Sequence, residues 1–170
     1  MDPPTPEPLV RYAIFPVCLT GLARDSAKPI RSLADLSTHV MLDFDTLLYG
    51  RPWSDWEQWL ETMNMRTFKP AGSLRFGHYD QAIQAAIGGG GIAIGKWPHV
   101  MRELRSGVLC APLGNASIAW RGGYHPVVRT DVESEVVGAF LDWLRSEVRS
   151  DGELDVESRP AAGAKRRRAS

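Results

Sequence analysis

The stretch that most constrains the fold is Gly77–Gly95, where a helical segment, four glycines and a short apolar run follow one another directly. Apolar residues recur at i, i+4 and i+8 from Tyr79, which is the period of an α-helix. The glycines at 88–91 predict the end of this helix and a tight turn. Ile92–Ile94 is too short for a helix and predicts a buried strand. The stretch therefore predicts a helix that feeds a parallel or mixed sheet.

Apolar runs elsewhere in the chain predict further strands, and helical patterns alternate with them. The predicted strands include Tyr12–Leu19, Val40–Phe44, Ser73–Phe76 and Val108–Leu113, with a strand pair around Gly122–Gly123. Pro16 cannot donate a ladder hydrogen bond, so we expect the first strand to lie at an edge or to end there. Strands that alternate with helices indicate the α/β class.

Composition places the chain among soluble globular proteins. It has 170 residues, 44% hydrophobic and 24% charged, which is enough for one domain with a real core. The formal net charge of zero gives no overall attraction to nucleic acid or to an anionic membrane. No apolar run approaches the length of a membrane span, and the start does not have the pattern of a signal peptide. We therefore expect a cytoplasmic protein without a membrane partner.

Three regions follow from the local composition. Residues 1–8 are half proline and form a lead-in without a core of its own. Residues 9–149 form the folded domain. Residues 150–170 are polar and end in the basic run that starts at Lys165, so we expect a disordered, solvated tail rather than a nucleic-acid-binding element.

The sequence gives no support for catalysis. It contains no phosphate-cradling loop, no dinucleotide-binding glycine pattern and no nucleophile elbow. The histidines have no partners at metal-ligand spacing, so we expect neither a metal nor another cofactor. Cys18 and Cys110 lie in apolar, strand-like runs, which predicts two buried thiols rather than a disulfide framework or a metal site.

Three tryptophans lie in or directly before one predicted helix. Ser54 and Glu57 have the spacing of a capping box at its start, and Trp53, Trp56 and Trp59 recur at helical intervals. These rings could form a ligand platform, but their spacing favours packing in the core.

Two places carry candidate ligand contacts. Gly77, His78 and Tyr79 lie where a strand passes into a helix, whose free N–H groups and dipole favour an anion. Lys96 and Trp97 follow the end of the next strand, where open α/β sheets bind ligands. The alternatives are that His78 and Tyr79 only cap and pack the helix end, and that Lys96 stays solvated.

The order of several short motifs from about Tyr12 to Glu147 resembles the carboxyl-terminal half of the LysR-type transcriptional regulators, nearest the glycine-cleavage-activator-like branch. The motifs are Pro16-Val-Cys, Ser32-Leu-Ala-Asp-Leu with His39 after it, Trp53-Ser-Asp-Trp-Glu-Gln-Trp-Leu, Phe76-x-x-Tyr79-x-x-Ala82-Ile83-x-Ala85-Ala86, Gly89-x-Gly91-Ile92-Ala93, Leu104-x-x-Gly107-x-Leu109 and Phe140-Leu-x-Trp-Leu.

The resemblance implies a type 2 periplasmic-binding-protein-like effector domain, of which this chain holds the second subdomain and part of the first. It implies that Gly77, His78 and Tyr79 line a cleft for a small metabolite, with anionic metabolites among the candidates. It also implies a homo-oligomer that binds DNA through an amino-terminal helix-turn-helix half, which we expect to be missing here. The chain would then be the effector-sensing portion of a regulator and not an enzyme. Two alternatives stay open: a stand-alone small-molecule-binding protein or enzyme on the same scaffold, and an inactive truncated gene product.

Overall fold

The structure is a computed structural model that describes residues 8–48, 51–65, 67–114, 118–128 and 135–150. Its strands are β1 (Val10–Leu19), β2 (Val40–Phe44), β3 (Thr46–Leu48), β4 (Arg51–Trp53), β5 (Gly72–Phe76), β6 (Ile92–Trp97), β7 (Leu109–Cys110) and β8 (Ile118–Tyr124). Its α-helices are α1 (Thr20–Ala23), α2 (Asp55–Thr62), α3 (Tyr79–Ile87), α4 (Met101–Arg105) and α5 (Glu135–Ser150), and a 3-10 helix spans Leu33–Thr38. Nearly all of the predicted proline-rich lead-in and basic tail, residues 1–7 and 151–170, lies outside the described residues.

The chain divides into two compact units, with the boundary inside β1. The larger, here called the main unit, comprises the described residues from Ile14 to Ile118. The smaller, here called the terminal unit, comprises the described residues up to Ala13 and from Ala119 onward. The main unit therefore contains β2 to β7 with their helices, and the terminal unit contains the start of β1, most of β8 and all of α5.

A mixed sheet with the strand order β5-β2-β6-β1-β7 organises the main unit. β2 runs parallel to β5, with Val40 opposite Gly72 and Phe44 opposite Phe76, and it runs parallel to β6 on its other side. α3 connects β5 to β6, as a crossover between parallel strands requires. The predicted α/β class is confirmed, and the carboxyl ends of three parallel strands meet at one edge of the sheet.

The core lies between the sheet and α3. Its buried members come from β1, β2, α3, β6 and β7 and from the N-cap residue of α4: Phe15, Val17, Leu42, Ala82, Ile83, Ala86, Ala93, Val100 and Leu109. Trp56 and Trp59 of α2 are buried and meet edge to face, with ring centroids 5.8 Å apart. The indole N–H of Trp56 donates to the carbonyl of Leu42 at 3.0 Å, so this polar group is satisfied in the interior. For these two rings, the predicted packing role is confirmed.

Gly91 shows why the glycine run ends α3 where it does. Its φ is +154°, and a Cβ built there would lie 2.3 Å from the carbonyl oxygen of Val40. Only glycine lets the chain pass this close to β2 and enter β6 in register beside it. The predicted structural role of the glycine turn is confirmed at this position.

Two details of the predicted strands are wrong. β1 is not an edge strand, because β6 pairs with it as well as β7. Pro16 precedes Cys18 and Leu19, the two residues that pair with β7, so its missing N–H falls outside that short ladder.

The second wrong detail is the strand pair around Gly122–Gly123, where the structure has the single strand β8. β8 pairs with β1, and Leu9 donates its N–H to the carbonyl of Tyr124 at 2.8 Å. A Cβ on Gly123 would lie 2.3 Å from Cβ of Pro8. The glycine therefore serves close strand approach and not a turn.

The terminal unit also holds α5, a helix with large apolar side chains on its surface. Val136, Phe140 and Trp143 are exposed, and the last two rings lie 5.6 Å apart. Among the described helices of both units, none is long and apolar enough to cross a membrane.

Candidate functional site

Polar and aromatic side chains gather where the parallel strands of the main unit end. Asp43 and Phe44 close β2, Lys96 lies near the end of β6, Tyr79 begins α3, and Asp55 begins α2. Parallel strands place their carboxyl ends at one edge of a sheet, and the helices that follow them start there. We call these five residues the sheet-edge cluster.

An ion pair between Lys96 and Asp55 forms the centre of the cluster. Nζ of Lys96 lies 2.8 Å from Oδ2 of Asp55, and the two side chains are 22% and 7% exposed. Oδ1 of the same carboxylate accepts a hydrogen bond from the indole N–H of Trp53 at 3.1 Å. Within the described part of the chain, Oδ2 receives no well-aligned hydrogen bond, so the ammonium charge is what compensates its burial.

Two aromatic rings complete the surroundings of the Lys96 ammonium. Nζ lies 5.0 Å from the ring centroid of Phe44 and 5.2 Å from that of Tyr79, both within cation–π range. The rings meet edge to face with centroids 5.5 Å apart. The backbone N–H of Lys96 donates to the Tyr79 hydroxyl at 2.8 Å, so helix α3 and strand β6 are tied together at this point.

Asp43 links the strand end to the start of α2. Its Oδ2 accepts a hydrogen bond from the Ser54 hydroxyl at 3.0 Å, and its Oδ1 accepts one from the backbone N–H of Phe44. The Ser54 oxygen in turn accepts the backbone N–H of Glu57 and caps α2, as the sequence predicts. Arg75 lies 3.9 Å from the same carboxylate and is mostly exposed, so its contribution is small.

His99 extends the cluster toward solvent. Its ring meets Tyr79 edge to face at a centroid distance of 6.1 Å. Partial burial, followed by the nearby charge of Lys96, lowers the pKa of His99 from its usual value of 6.5. The surroundings of the ring, including Lys96, therefore favour its neutral form.

The five site residues predicted from sequence are placed differently from one another. Tyr79 and Lys96 are brought together, as described above. Gly77 and His78 are exposed, and His78 stands at the N-cap of α3 without a capping side-chain hydrogen bond. Trp97 is half-buried and packs against the core cluster of the main unit. The ligand contacts assigned to all five remain predictions.

The sequence interpretation missed Asp43, Phe44 and Asp55 as members of the cluster. A signal for Asp43 was available, because a carboxylate inside the apolar run Val40–Phe44 must be paired when the strand is buried. Asp55 carried no such signal. Acidic residues are common in the first turn of a helix, and the partner Lys96 is far away in the sequence, so nothing local indicates the ion pair.

The cluster suits recognition of a small polar molecule more than it suits catalysis. It presents charges of both signs beside aromatic faces, at the place in an α/β sheet where ligands bind. Among the described residues, no group of three or more His, Cys, Asp and Glu side chains could hold a metal ion.

Comparison with known proteins shows the family to which the chain belongs. Residues 5–149 match the family model of the LysR substrate binding domain. The glycine cleavage system transcriptional activator of Escherichia coli K12 is 24% identical over 147 residues, which are 86% of this chain and 46% of the relative. The transcriptional regulator DsdC of the same organism is 29% identical over 84% of this chain and 45% of its own length. The chain thus spans about half the length of these relatives.

Solved structures share the fold. The effector domain of AmpR from Pseudomonas aeruginosa aligns with a TM-score of 0.64 at 21% identity, over 85% of this chain and 66% of that one. Full-length HypT from Salmonella typhimurium, a hypochlorite-specific LysR-type regulator, aligns with a TM-score of 0.52 at 17% identity, over 85% of this chain and 46% of that one. The fold is the periplasmic-binding-protein-like one of LysR effector domains, and with its family model matched over most of its length, this chain belongs to the LysR substrate-binding domain family.

Proposed function

We propose that this chain senses a small charged metabolite at the sheet-edge cluster and that it does so as the effector-binding part of a cytoplasmic LysR-type transcriptional regulator. The observation that carries the proposal is the ion pair of Lys96 and Asp55, set between two aromatic rings at the carboxyl edge of the sheet. Such a pair adds little to stability relative to apolar side chains of the same size, and its two charges are groups that a charged ligand can bind.

The charges of the cluster define the ligand class. An anion would compete with Asp55 for the ammonium of Lys96, and a cation would compete with Lys96 for the carboxylate and the ring faces. A molecule that carries both charges could meet both partners at once. The proposed effector is therefore a small metabolite with at least one charged group, and anionic, cationic and zwitterionic compounds are three separate arms of the test.

The remaining predicted site residues have a place in this proposal. Gly77 and His78 are exposed next to Tyr79, where they would contact the outer part of the ligand. Trp97 directly follows Lys96, and its half-buried ring would hold the strand end in position. We therefore assign ligand contact to Gly77 and His78 and structural support to Trp97.

A thermal-shift screen of the 170-residue chain tests ligand binding. The compounds are amino acids, small carboxylates and small amines, and we expect at least one to raise the midpoint of thermal unfolding in a concentration-dependent manner. Lys96→Met should change the apparent Kd by at least about tenfold, with weaker binding of an anionic or zwitterionic compound through loss of one charge-assisted contact, and tighter binding of a cation that no longer competes with the ammonium. Lys69→Met is the matched control, because Lys69 is an exposed lysine outside the cluster. An unchanged response in Lys96→Met would contradict the site.

Coupling to DNA is the second part of the proposal. In the full regulator, effector binding would shift the population of oligomer states and so change how the helix-turn-helix heads meet DNA. The relatives are regulators that are about twice as long as this chain, and we assign DNA reading to a part of the regulator other than the matched effector domain. In an electrophoretic shift assay, the 170-residue chain alone should form no sequence-specific complex, and a nanomolar one would overturn this part.

A further inference from the structure

The two cysteines of the chain face each other across neighbouring strands. Cys18 of β1 and Cys110 of β7 are direct partners in the antiparallel register, followed by Leu19 and Leu109. Directly opposed residues in antiparallel strands have Cα atoms about 4.5 or 5.5 Å apart, and disulfides span about 4.4 to 6.8 Å. Both side chains are free thiols in the structure. The backbone spacing therefore suits a bond between them without rearrangement of the sheet.

The two thiols differ in their surroundings. Cys18 is fully buried in the main unit, whereas Cys110 is partly exposed on a strand of two residues at one end of the strand order. A small oxidant in solution should therefore reach Cys110 more readily than Cys18.

Their protonation also differs. The hydrogen bond that Cys18 donates lowers the pKa of Cys110 to about 7, against a burial effect that raises it, and Arg24 adds a favourable positive charge. Thr20 also approaches this thiol, but its hydroxyl proton is donated to the carbonyl of Gly107 at 2.6 Å, so we assign the lowering to Cys18 and Arg24. The shared hydrogen bond and then burial raise the pKa of Cys18 above its usual range. Of the two thiols, Cys110 is therefore the one whose deprotonated form is favoured.

We propose that Cys18 and Cys110 form a peroxide-reactive thiol pair, in which Cys110 attacks the oxidant and Cys18 resolves the product to an intrachain disulfide. In the first step, the Cys110 thiolate attacks one oxygen of a hydroperoxide. The O–O bond breaks, a sulfenic acid forms, and the other oxygen leaves as an alcohol or water after it takes up a proton.

In the second step, the sulfur of Cys18 displaces hydroxide from the Cys110 sulfenic acid. The S–S bond forms, and the hydroxide leaves as water with the proton of the Cys18 thiol. Overall, two thiols are oxidised by two electrons and one hydroperoxide is reduced. The site is separate from the sheet-edge cluster, so it does not depend on the proposed effector function.

The test exposes the purified, reduced 170-residue chain to hydrogen peroxide and maps its peptides without reduction. We expect the chain to lose two hydrogen atoms and to yield one cross-linked pair of peptides, which contain Cys18 and Cys110, at any chain concentration. Disulfides that form only between chains, or two thiols that persist at peroxide levels that oxidise a low-pKa thiol, would overturn the proposal.

Single variants assign the order of events. Cys18→Ser should stop at the sulfenic acid of Cys110, which a dimedone probe traps as one adduct. In Cys110→Ser, the buried Cys18 should react about tenfold more slowly or slower still. Equal reaction of the two thiols would contradict the assigned roles. If a variant does not fold, brief alkylation of the wild-type chain with iodoacetamide decides the same point, because Cys110 must be labelled first.

Discussion

Lys96 and Asp55 form a 2.8 Å ion pair between the end of β6 and the start of α2, and the acid is the more deeply buried partner. The charges stand on elements that are far apart in the sequence, and each has aromatic or indole neighbours in addition to the other. Lys96 is the residue that joins the proposed effector site to the stability of the main unit.

Substitution of Lys96 should lower the free energy of unfolding more than substitution of Asp55. Lys96→Met leaves a buried carboxylate without its cation, and we expect a loss of about 3 kcal/mol in the free energy of unfolding. Asp55→Asn keeps an acceptor for Trp53 and leaves a cation that water can partly reach, so about 1 to 2 kcal/mol should be lost. Urea unfolding of both single variants and the double variant measures the coupling. A double variant whose loss equals the sum of the single losses would show that the pair does not interact.

Ser54 serves two partners at once, the backbone N–H of Glu57 and the buried carboxylate of Asp43. We expect Ser54→Ala to lower the free energy of unfolding by about 2 to 3 kcal/mol, since a helix cap and a buried hydrogen bond are lost together. Ser37→Ala is the control. Ser37 is exposed and bonds only within its own 3-10 turn, so the change should stay within about 0.5 kcal/mol. Equal effects of the two substitutions would refute the dual role.

Acidification should weaken the fold in part through His99. Its folded pKa lies below the usual 6.5, so the unfolded chain binds a proton first as the pH falls. The contribution of neutral His99 to stability is present above the unfolded pKa and is lost as the pH falls toward the folded pKa. Wild type should therefore lose more stability than His99→Gln as the pH falls from about 7.5 to about 5.5, which is one unit on either side of the usual histidine pKa of about 6.5.

NMR titration of the imidazole checks the cause of this shift. In Lys96→Met, the pKa of His99 should rise because a nearby positive charge is gone, but only in part, because burial is the larger cause. A His99 pKa at or above 6.5 in the wild-type chain would contradict the assignment.

Gly91→Ala should be among the most damaging single-methyl changes in the main unit. The new Cβ would meet the carbonyl of Val40 in the interior strand β2, and we expect a loss of about 3 kcal/mol or more from overlap and backbone strain. Gly107→Ala is the matched control, because its φ is also positive but nothing lies within 4 Å of the added carbon. Its cost should be about 1 to 2 kcal/mol, from conformation alone. Thermal unfolding of both variants shows whether steric overlap or the positive φ causes most of the destabilisation.

Local pattern was sufficient to predict the main elements. The period of the helix after Gly77, the glycine turn, the Ser54 cap and the buried strands were all visible in the sequence, because each depends on residues a few positions apart. The same reasoning placed Tyr79 and Lys96 at the ends of their elements. It failed at Pro16 and Gly123, where strand pairing and close approach, not the local residue preference, decide the structure.

Local residue patterns were enough to predict the α/β class, the order of the main elements, the family resemblance and two of the residues that meet at the sheet edge. They could not predict that Asp55 neutralises Lys96, that Asp43 bonds to Ser54, or that Cys18 lies opposite Cys110. The physical reason is that periodicity reports which face of an element is buried, whereas the partner of a charge or a thiol depends on strand order and register. Those are set by packing between segments that the sequence holds far apart.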